Sequence, residues 1–261
     1  MSDWTRKLFV DHSDLFLKFL DERWLKTEDM VSGMVKVLGS FGIKSGDVLD
    51  LCCGNGRVSI YMAKKGFEVV GVDFSRAFLD DARKKAEEHK VSRNVTFLEG
   101  DVRNLKKVVG NVSQPFDVVV NVWTSLGYFS KDDDINMFKQ VRELSRKDAV
   151  LIVAETMHSD FLAVKFAPTG YQQVDDIVLL ENRKYDPTTS QIATTWTFYN
   201  KCGENLEFID RIEVENHVYS QSELSSVLRK AGWEPVAFYG SFLTLQAMNP
   251  LTSLNVVARA K

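Results

Sequence analysis

Val48-Leu49-Asp50-Leu51-Cys52-Cys53-Gly54-Asn55-Gly56-Arg57 reads as a strand, a turn of small residues and the start of a helix. The short apolar run suits a buried strand. Gly54 and Gly56 let the backbone approach a ligand with no side chain in the way. Free N–H groups at the following helix start suit an anionic group. Outward from this stretch, helical and strand patterns alternate. A helix is predicted over 14–38, where Met30, Val31, Met34, Val35 and Leu38 make one apolar face before Gly39 and Gly42. Helices follow over 57–65, closed by Gly66, and over 75–89, capped by Ser75. Another runs over 130–145, where Ser130 and Asp133 have capping-box spacing. Strands are predicted at 48–52, 67–72, 94–98, 117–122 and 149–154. Strands separated by helices imply a parallel sheet with helices on both faces.

The rhythm changes after Glu155. Segments 177–185, 191–199 and 206–217 are long and rich in β-branched and aromatic residues. Asp186-Pro187-Thr188 and Asn200-Lys201-Cys202-Gly203 join them with turn chemistry. This is an antiparallel β meander inserted in an α/β unit. A helix over 221–231, a strand around Val236 and a last strand near 255–258 resume the first pattern. An insertion over the carboxyl ends of the strands is where a lid would sit.

Composition bounds the function. The 261 residues are 44% hydrophobic and 26% charged, ordinary for a globular chain. The longest apolar run, 149–154, is far short of the about 20 residues a membrane-spanning helix needs. No secretory apolar region follows the charged start, because Asp11, His12 and Asp14 interrupt, so the expected location is cytoplasmic. The net charge is -3, without the basic surplus of most nucleic-acid binders. Cys52, Cys53 and Cys202 form neither a disulfide framework nor a zinc-type pair, so reduced thiols and no metal are expected.

The glycine loop alone fits a degraded dinucleotide motif, Gly54-x-Gly56-x-x-Ser59. The acids weigh against it. Asp50 precedes the glycines, where it would compete with a pyrophosphate and is better placed for a cationic amine. Asp73 ends the second strand, where a carboxylate can accept from both ribose hydroxyls. Asp101 follows the third strand, where it can accept from an exocyclic adenine amine. An amine, a carboxylate, a ribose and an adenine without phosphate describe S-adenosylmethionine.

Three successive stretches, Asp50-Leu51-Cys52-Cys53-Gly54-Asn55-Gly56, Gly71-Val72-Asp73-Phe74-Ser75 and Glu99-Gly100-Asp101-Val102, resemble the cofactor motifs of class I S-adenosylmethionine-dependent methyltransferases. Asn121-Val122-Trp123-Thr124-Ser125-Leu126-Gly127-Tyr128-Phe129 resembles the fourth-strand motif of small-molecule members, which puts Asn121 among the cofactor-binding candidates. Tyr219-Ser220-Gln221-Ser222-Glu223-Leu224 and Ala231-Gly232-Trp233 look like the helix before the sixth strand. The resemblance covers about residues 24–261. Two departures stand out: Cys52 replaces the first glycine of the loop, and Ser145-Arg146-Lys147-Asp148 replaces a Pro-Gly-Gly turn. By resemblance, the backbone from Cys52 through Cys53 to Gly54 holds the methionine part, Asp73 the ribose, Asp101 and Val102 the adenine, and Phe74 an adenine face. The implied fold is α/β, a Rossmann-like seven-stranded, mainly parallel sheet. It forms one methyltransferase domain over 1–261, with a helical cap over 1–40 and an inserted antiparallel lid over 160–218.

Methyl transfer from a sulfonium needs alignment more than a catalytic triad, and alignment alone supplies about 7–11 kcal/mol. A base is needed only where the acceptor is protonated. Trp123, Tyr128 and Phe129 follow the fourth strand, where an aromatic face would favour a sulfonium or an amine; core packing is their other reading. His158, past the fifth strand, is a candidate base, and a surface position is its other reading; His217 is a weaker one. Cys52 and Cys53 read as small loop residues rather than nucleophiles. Asn121-Val122-Trp123-Thr124 lacks the motifs of base-amine or cytosine C5 methylation. From Tyr171 to His217 nine acidic residues face four basic ones, which disfavours a phosphate backbone. The expected reaction is methyl transfer from S-adenosylmethionine to a small molecule at N or O, leaving S-adenosylhomocysteine. Alternatives are an RNA or protein methyltransferase, a nicotinamide-dependent oxidoreductase, and a non-catalytic cofactor-binding protein. A homodimer stays open.

Overall fold

A computed structural model of the chain describes residues 3–110, 112, 115–123 and 125–261. Strand β1, Asp47–Leu51, lies at the centre of a seven-stranded sheet. It pairs in parallel with β2, Glu68–Asp73, on one side and with β4, Phe116–Val122, on the other. With neighbours on both edges and helices on both faces, it has no use for polar alternation, which explains its apolar run. β3, Val95–Glu99, extends the sheet beyond β2, and β5, Ser145–Thr156, extends it beyond β4. Two later strands, β10 (Trp233–Tyr239) and β11 (Leu254–Ala260), finish it antiparallel, in the order β10-β11-β5-β4-β1-β2-β3. The chain leaves β1 towards β2 and β3, then returns to its other side at β4. A crevice opens at the carboxyl ends of the strands where the order reverses.

Period-two side chains divide β4 between two cores. Val118 and Val120 pack beneath α3 (Trp24–Ser40), α4 (Arg57–Lys64) and α5 (Arg76–Glu88), with Met34, Leu38, Ile60 and Leu79. Val119 packs on the opposite face against α7 (Lys131–Glu143) and α9 (Gln221–Lys230), with Phe138, Val141, Leu224 and Leu228. Ser130 and Asp133 form the expected capping box at the start of α7. Removing a side chain as large as buried Phe138 would cost about 3–5 kcal/mol.

The long helix expected over 14–38 is two helices, α2 (Ser13–Glu22) and α3, turning at Arg23. The physical reason is that their apolar stripes belong to different cores. Leu15, Phe16, Phe19 and Leu20 of α2 join Leu179, Phe198, Ile212 and Val214 of a second sheet. Met30, Val31, Met34 and Leu38 of α3 cover the first sheet. Residues 3–11, within the charged start, are helical too: α1 (Asp3–Arg6) and a π-turn, Lys7–Asp11, which buries Leu8 and Phe9.

The second sheet is antiparallel in the order β6-β7-β8-β9: Thr169–Val174, Ile177–Asp186, Gln191–Cys202 and Asn205–His217. Its last three strands match the predicted meander. β6 was not foreseen because it is an edge strand with mostly exposed residues and no apolar alternation. The sheet is tied to the loop after β4 where the His217 N–H donates to the Gly127 carbonyl at 2.9 Å. Gly127 has φ +81°, and a Cβ there would lie 2.0 Å from the His217 oxygen, so only glycine permits this approach.

Candidate active site

Strand β1 delivers Asp50 and then a turn in which Cys52, Gly54 and Gly56 all have positive φ, 55°, 56° and 75°. Cys52 pays a left-handed backbone cost that glycine would avoid. Trp123, just past β4, and Glu155, near the end of β5, have positive φ as well, 63° and 52°. Three neighbouring strand tips therefore carry strained non-glycine residues at the crevice, a pattern typical of functional sites.

Asp73, at the tip of β2, is buried, and each of its oxygens accepts a backbone N–H: Oδ2 from Gly54 and Oδ1 from Ser75, both at 2.9 Å. Burial pushes its carboxyl up to about 6, although these N–H bonds pull the other way. Asp50, also buried, accepts from the Ser59 hydroxyl at 2.6 Å. Burial lifts it to about 7 against the pull of that hydroxyl and of Arg57, with the Asp73 charge adding to the rise. Asp101 differs. Burial raises it, but Arg103 outweighs this through Nε at 3.0 Å from both oxygens and Nη2 at 2.5 Å, so its carboxyl lies below the usual range. The Arg103 guanidinium in turn sits 4.1 Å over the Phe129 ring.

These tips open into a cavity of about 460 Å3. Asp50, Cys52, Cys53, Gly54, Asp73 and Phe74 line it, as do Asp101, Val102, Trp123 and Tyr128. Its far side is the second sheet, through Thr194, Trp196, Val214 and Asn216, and its roof is the N-terminal segment, through Trp4, Phe9, Phe16 and Leu20. The Ser75 hydroxyl, beside Asp73, donates to the Phe9 carbonyl at 2.6 Å and holds that roof down. Phe16 stacks on both Trp123 and Trp196, at 5.8 and 6.2 Å. Trp123 thus packs as well as lines.

Three candidates stand off the cavity wall. Gly56 serves packing: a Cβ there would meet Phe97 at 2.8 Å and Ala82 at 2.9 Å. Asn121 is buried beneath the surface and donates to the Leu51 carbonyl at 3.4 Å, bridging β4 to β1. His158 is neither a base in the mouth of the site nor a surface residue. It is fully buried, with Nε2 2.7 Å from the Thr252 carbonyl and Nδ1 3.6 Å from Asp160. Thr124 lies outside the described residues.

Among the wall residues that sequence reasoning missed, four carry polar or charged groups by the strand tips. Arg57 is buried, donates to Thr27 Oγ1 at 2.8 Å and has Glu155 at 3.7 Å. Arg23, at the turn between α2 and α3, lies 4.7 Å from the Trp123 ring centroid. Asn55 donates to Asp21 at 2.8 Å, while its buried Oδ1 has no hydrogen-bond partner among the described residues. Asp134, in the first turns of α7, is buried and accepts from the Tyr219 hydroxyl. Only Arg57 and Asn55, inside the glycine motif, were within reach of a local signal. The donor set suits an adenosyl sulfonium: carboxylate acceptors at two tips, an orphaned acceptor and two guanidinium groups by the glycine loop, and aromatic walls.

Residues 48–148 match the model of a methyltransferase domain. The chain is 29% identical to a Bacillus subtilis protein that carries the methyltransferase name YqeM, over 73% of this chain and 74% of that one. It spans 21% to 52% of the length of several other curated relatives. Among solved structures, the CcbJ methyltransferase from Streptomyces caelestis aligns with a TM-score of 0.73 at 22% identity, over 90% of each chain. The sugar N-methyltransferase KedS8 from Streptoalloteichus aligns at 0.71 and 12% identity, over 95% of this chain and 92% of that one. These two likenesses show a common fold. The methyltransferase-domain match over 48–148, the relative that carries a methyltransferase name and the shared fold together support a class I S-adenosylmethionine-dependent methyltransferase.

Proposed function

We propose that the protein methylates a small molecule at nitrogen or oxygen, seated between the strand tips and the second sheet. The observation that carries this reading is a cavity of about 460 Å3 shared by the carboxylates at the tips and the inner face of β8 and β9. Its size lies in the range of small-ligand sites, and the second sheet and the N-terminal segment border it opposite the strand tips. The acidic surplus of the second sheet disfavours a phosphate backbone as the acceptor's carrier. The likeness to a sugar N-methyltransferase supports the same substrate size.

In this reading Asp73 accepts from the ribose hydroxyls and Asp101, with Val102, faces the adenine, while Phe74 covers one of its sides. Backbone at Cys52, Cys53 and Gly54 borders the methionine part. Asn55 Oδ1 and Asp50 receive its ammonium, and Arg23 and Arg57 lie ready for its carboxylate. The bound cofactor supplies a methyl group on a positively charged sulfur. The chain contributes alignment, exclusion of water by the N-terminal roof, and aromatic faces at Trp123 and Tyr128. In this reading the second sheet is the lid, and the protein acts without nucleic acid.

The test is calorimetric titration with S-adenosylhomocysteine, followed by incubation with methyl-labelled S-adenosylmethionine and separate small-molecule, RNA and protein fractions. Label should enter the small-molecule fraction. Label confined to RNA or protein would replace this reading with another acceptor class.

A further inference from the structure

We infer that Asp134 is the proton acceptor of the methyl transfer, taking the N–H or O–H proton of an acceptor seated in the cavity. This rests on the proposed small-molecule reading and deepens it. Asp134 is only 3% exposed, yet it forms part of the cavity wall. Both hydrogen bonds it receives fall on one oxygen: Oδ2 accepts from the Tyr219 hydroxyl at 2.6 Å and from the Gly127 N–H at 3.2 Å. Among the described residues no hydrogen bond reaches Oδ1, and no cationic side chain pairs with the carboxylate. A buried carboxylate without a cation is costly, and a purely structural acceptor at this place could be an amide.

The other buried acids on the wall have different surroundings. Asp73 accepts a backbone N–H at each oxygen beside the glycine loop, Asp50 accepts from Ser59 at one oxygen with the Arg57 charge near it, and Glu181 pairs with Arg183 at 2.6 Å. Asp134 is instead held by two elements that border the acceptor side. Gly127 belongs to the loop that carries Trp123 and Tyr128, and Tyr219 follows directly on β9. One oxygen is therefore fixed and the other keeps its lone pairs for a ligand. Burial lifts the group to about 7, while Tyr219 and Gly127 pull it down and Asp133 adds to the rise. The other titratable neighbours are the Cys52 thiol at the tip of β1 and, beyond Tyr219, Glu223 with His217 at 3.1 Å and Lys131 at 2.6 Å. An acid poised near neutrality is suited to general-base work.

In the step, the acceptor's lone pair forms the new bond to the methyl carbon as the carbon–sulfur bond breaks, its electron pair staying on sulfur. The acceptor's proton passes to Asp134 Oδ1 and leaves to solvent after product release. Charge balances: the sulfonium becomes a thioether and the carboxylate a carboxylic acid.

The experiment compares wild type with D134N and Y219F. The small-molecule filtrate of a bacterial lysate serves as the acceptor source, with methyl-labelled S-adenosylmethionine, across the pH range around neutrality. D134N should bind S-adenosylhomocysteine within about threefold of wild type and lose label transfer by about 100-fold or more, with the near-neutral limb of the pH profile gone. Y219F should move that limb to higher pH, because the phenol bond holds the carboxyl down. Infrared difference spectra of the S-adenosylhomocysteine complex should show a carboxylic C=O band that titrates near neutrality in wild type and is missing in D134N. D134N with wild-type transfer and an unmoved limb, or no such band, overturns the inference while label transfer by wild type leaves the parent reading standing. Wild type that binds no S-adenosylhomocysteine overturns the parent reading instead. Should D134N fail to fold, the direction of the Y219F shift decides.

Discussion

The Gly54 N–H donates to Asp73 Oδ2 at 2.9 Å, so the tip of β2 and the glycine loop after β1 are one rigid unit. Asp73 accordingly has two tasks, closing this loop and offering its remaining lone pairs to the crevice. Asp73→Ala should weaken S-adenosylhomocysteine binding by more than about tenfold, the loss of a charge-assisted bond pair. Calorimetry checks it, and an unchanged affinity would mean that the ribose is held elsewhere.

Cofactor affinity should depend on pH through the same buried acids. Asp50 and Asp73 are lifted to about 7 and about 6, and each must be ionised to accept from a ligand's ammonium or hydroxyl groups. Below these values a ligand must first displace a proton, so affinity should climb from about pH 5 to about pH 8 and then level off. Titrations at a series of pH values in one buffer system read this directly; a flat profile would exclude these carboxylates as partners.

The ligand-free protein should show the opposite trend in stability. Asp50, Asp73 and Asp134 all have folded values above the unfolded 3.8. Between that value and neutrality the folded state binds more protons than the unfolded one. Their contribution is full at low pH and is lost as pH rises towards about 7. Carboxylates held low, such as Asp101 and Glu223, act in the opposite sense only in more acidic solution. Thermal melting from about pH 5 to about pH 8 should therefore show a falling midpoint. Added S-adenosylhomocysteine should offset the fall.

Gly127→Ala should be strongly destabilising. The added methyl would meet the His217 carbonyl at 2.0 Å in a backbone with φ +81°. Neither the loop nor β9 can retreat without breaking the His217–Gly127 hydrogen bond. A loss of about 2 kcal/mol or more follows, read by urea unfolding.

His158→Ala should leave the shape of any pH–rate profile unchanged and lower stability. The ring is fully buried, bonded to the Thr252 carbonyl and packed on Phe161, 6.3 Å between centroids. Removing it leaves a cavity and an unpaired carbonyl, costing about 1–3 kcal/mol. A lost pH limb in this variant would return His158 to the chemistry.

The order of strands and helices, the turn at Cys52–Gly56 and the acids at the tips of β2 and β3 were legible in the sequence. Each depends on neighbours in the chain: apolar periodicity, capping residues, and glycines where a strand meets a helix. Asp73 and Asp101 could be placed because one ends β2 and the other lies two residues past the end of β3. Asp134, Arg23 and Trp196 could not. They reach the cavity only because α7, the α2–α3 turn and β8 are brought over the strand tips by packing between residues far apart in sequence. His158 shows the same limit from the other side. Its position after β5 is a local fact, but whether it faced the crevice or the interior was decided by Thr252, ninety-four residues away. The chain alone thus determined the scaffold and the acidic strand tips, since short-range patterns suffice for both. Which side chains close the cavity over those tips was decided by tertiary packing, since the roof, the second sheet and the loop after β4 meet nowhere in the sequence.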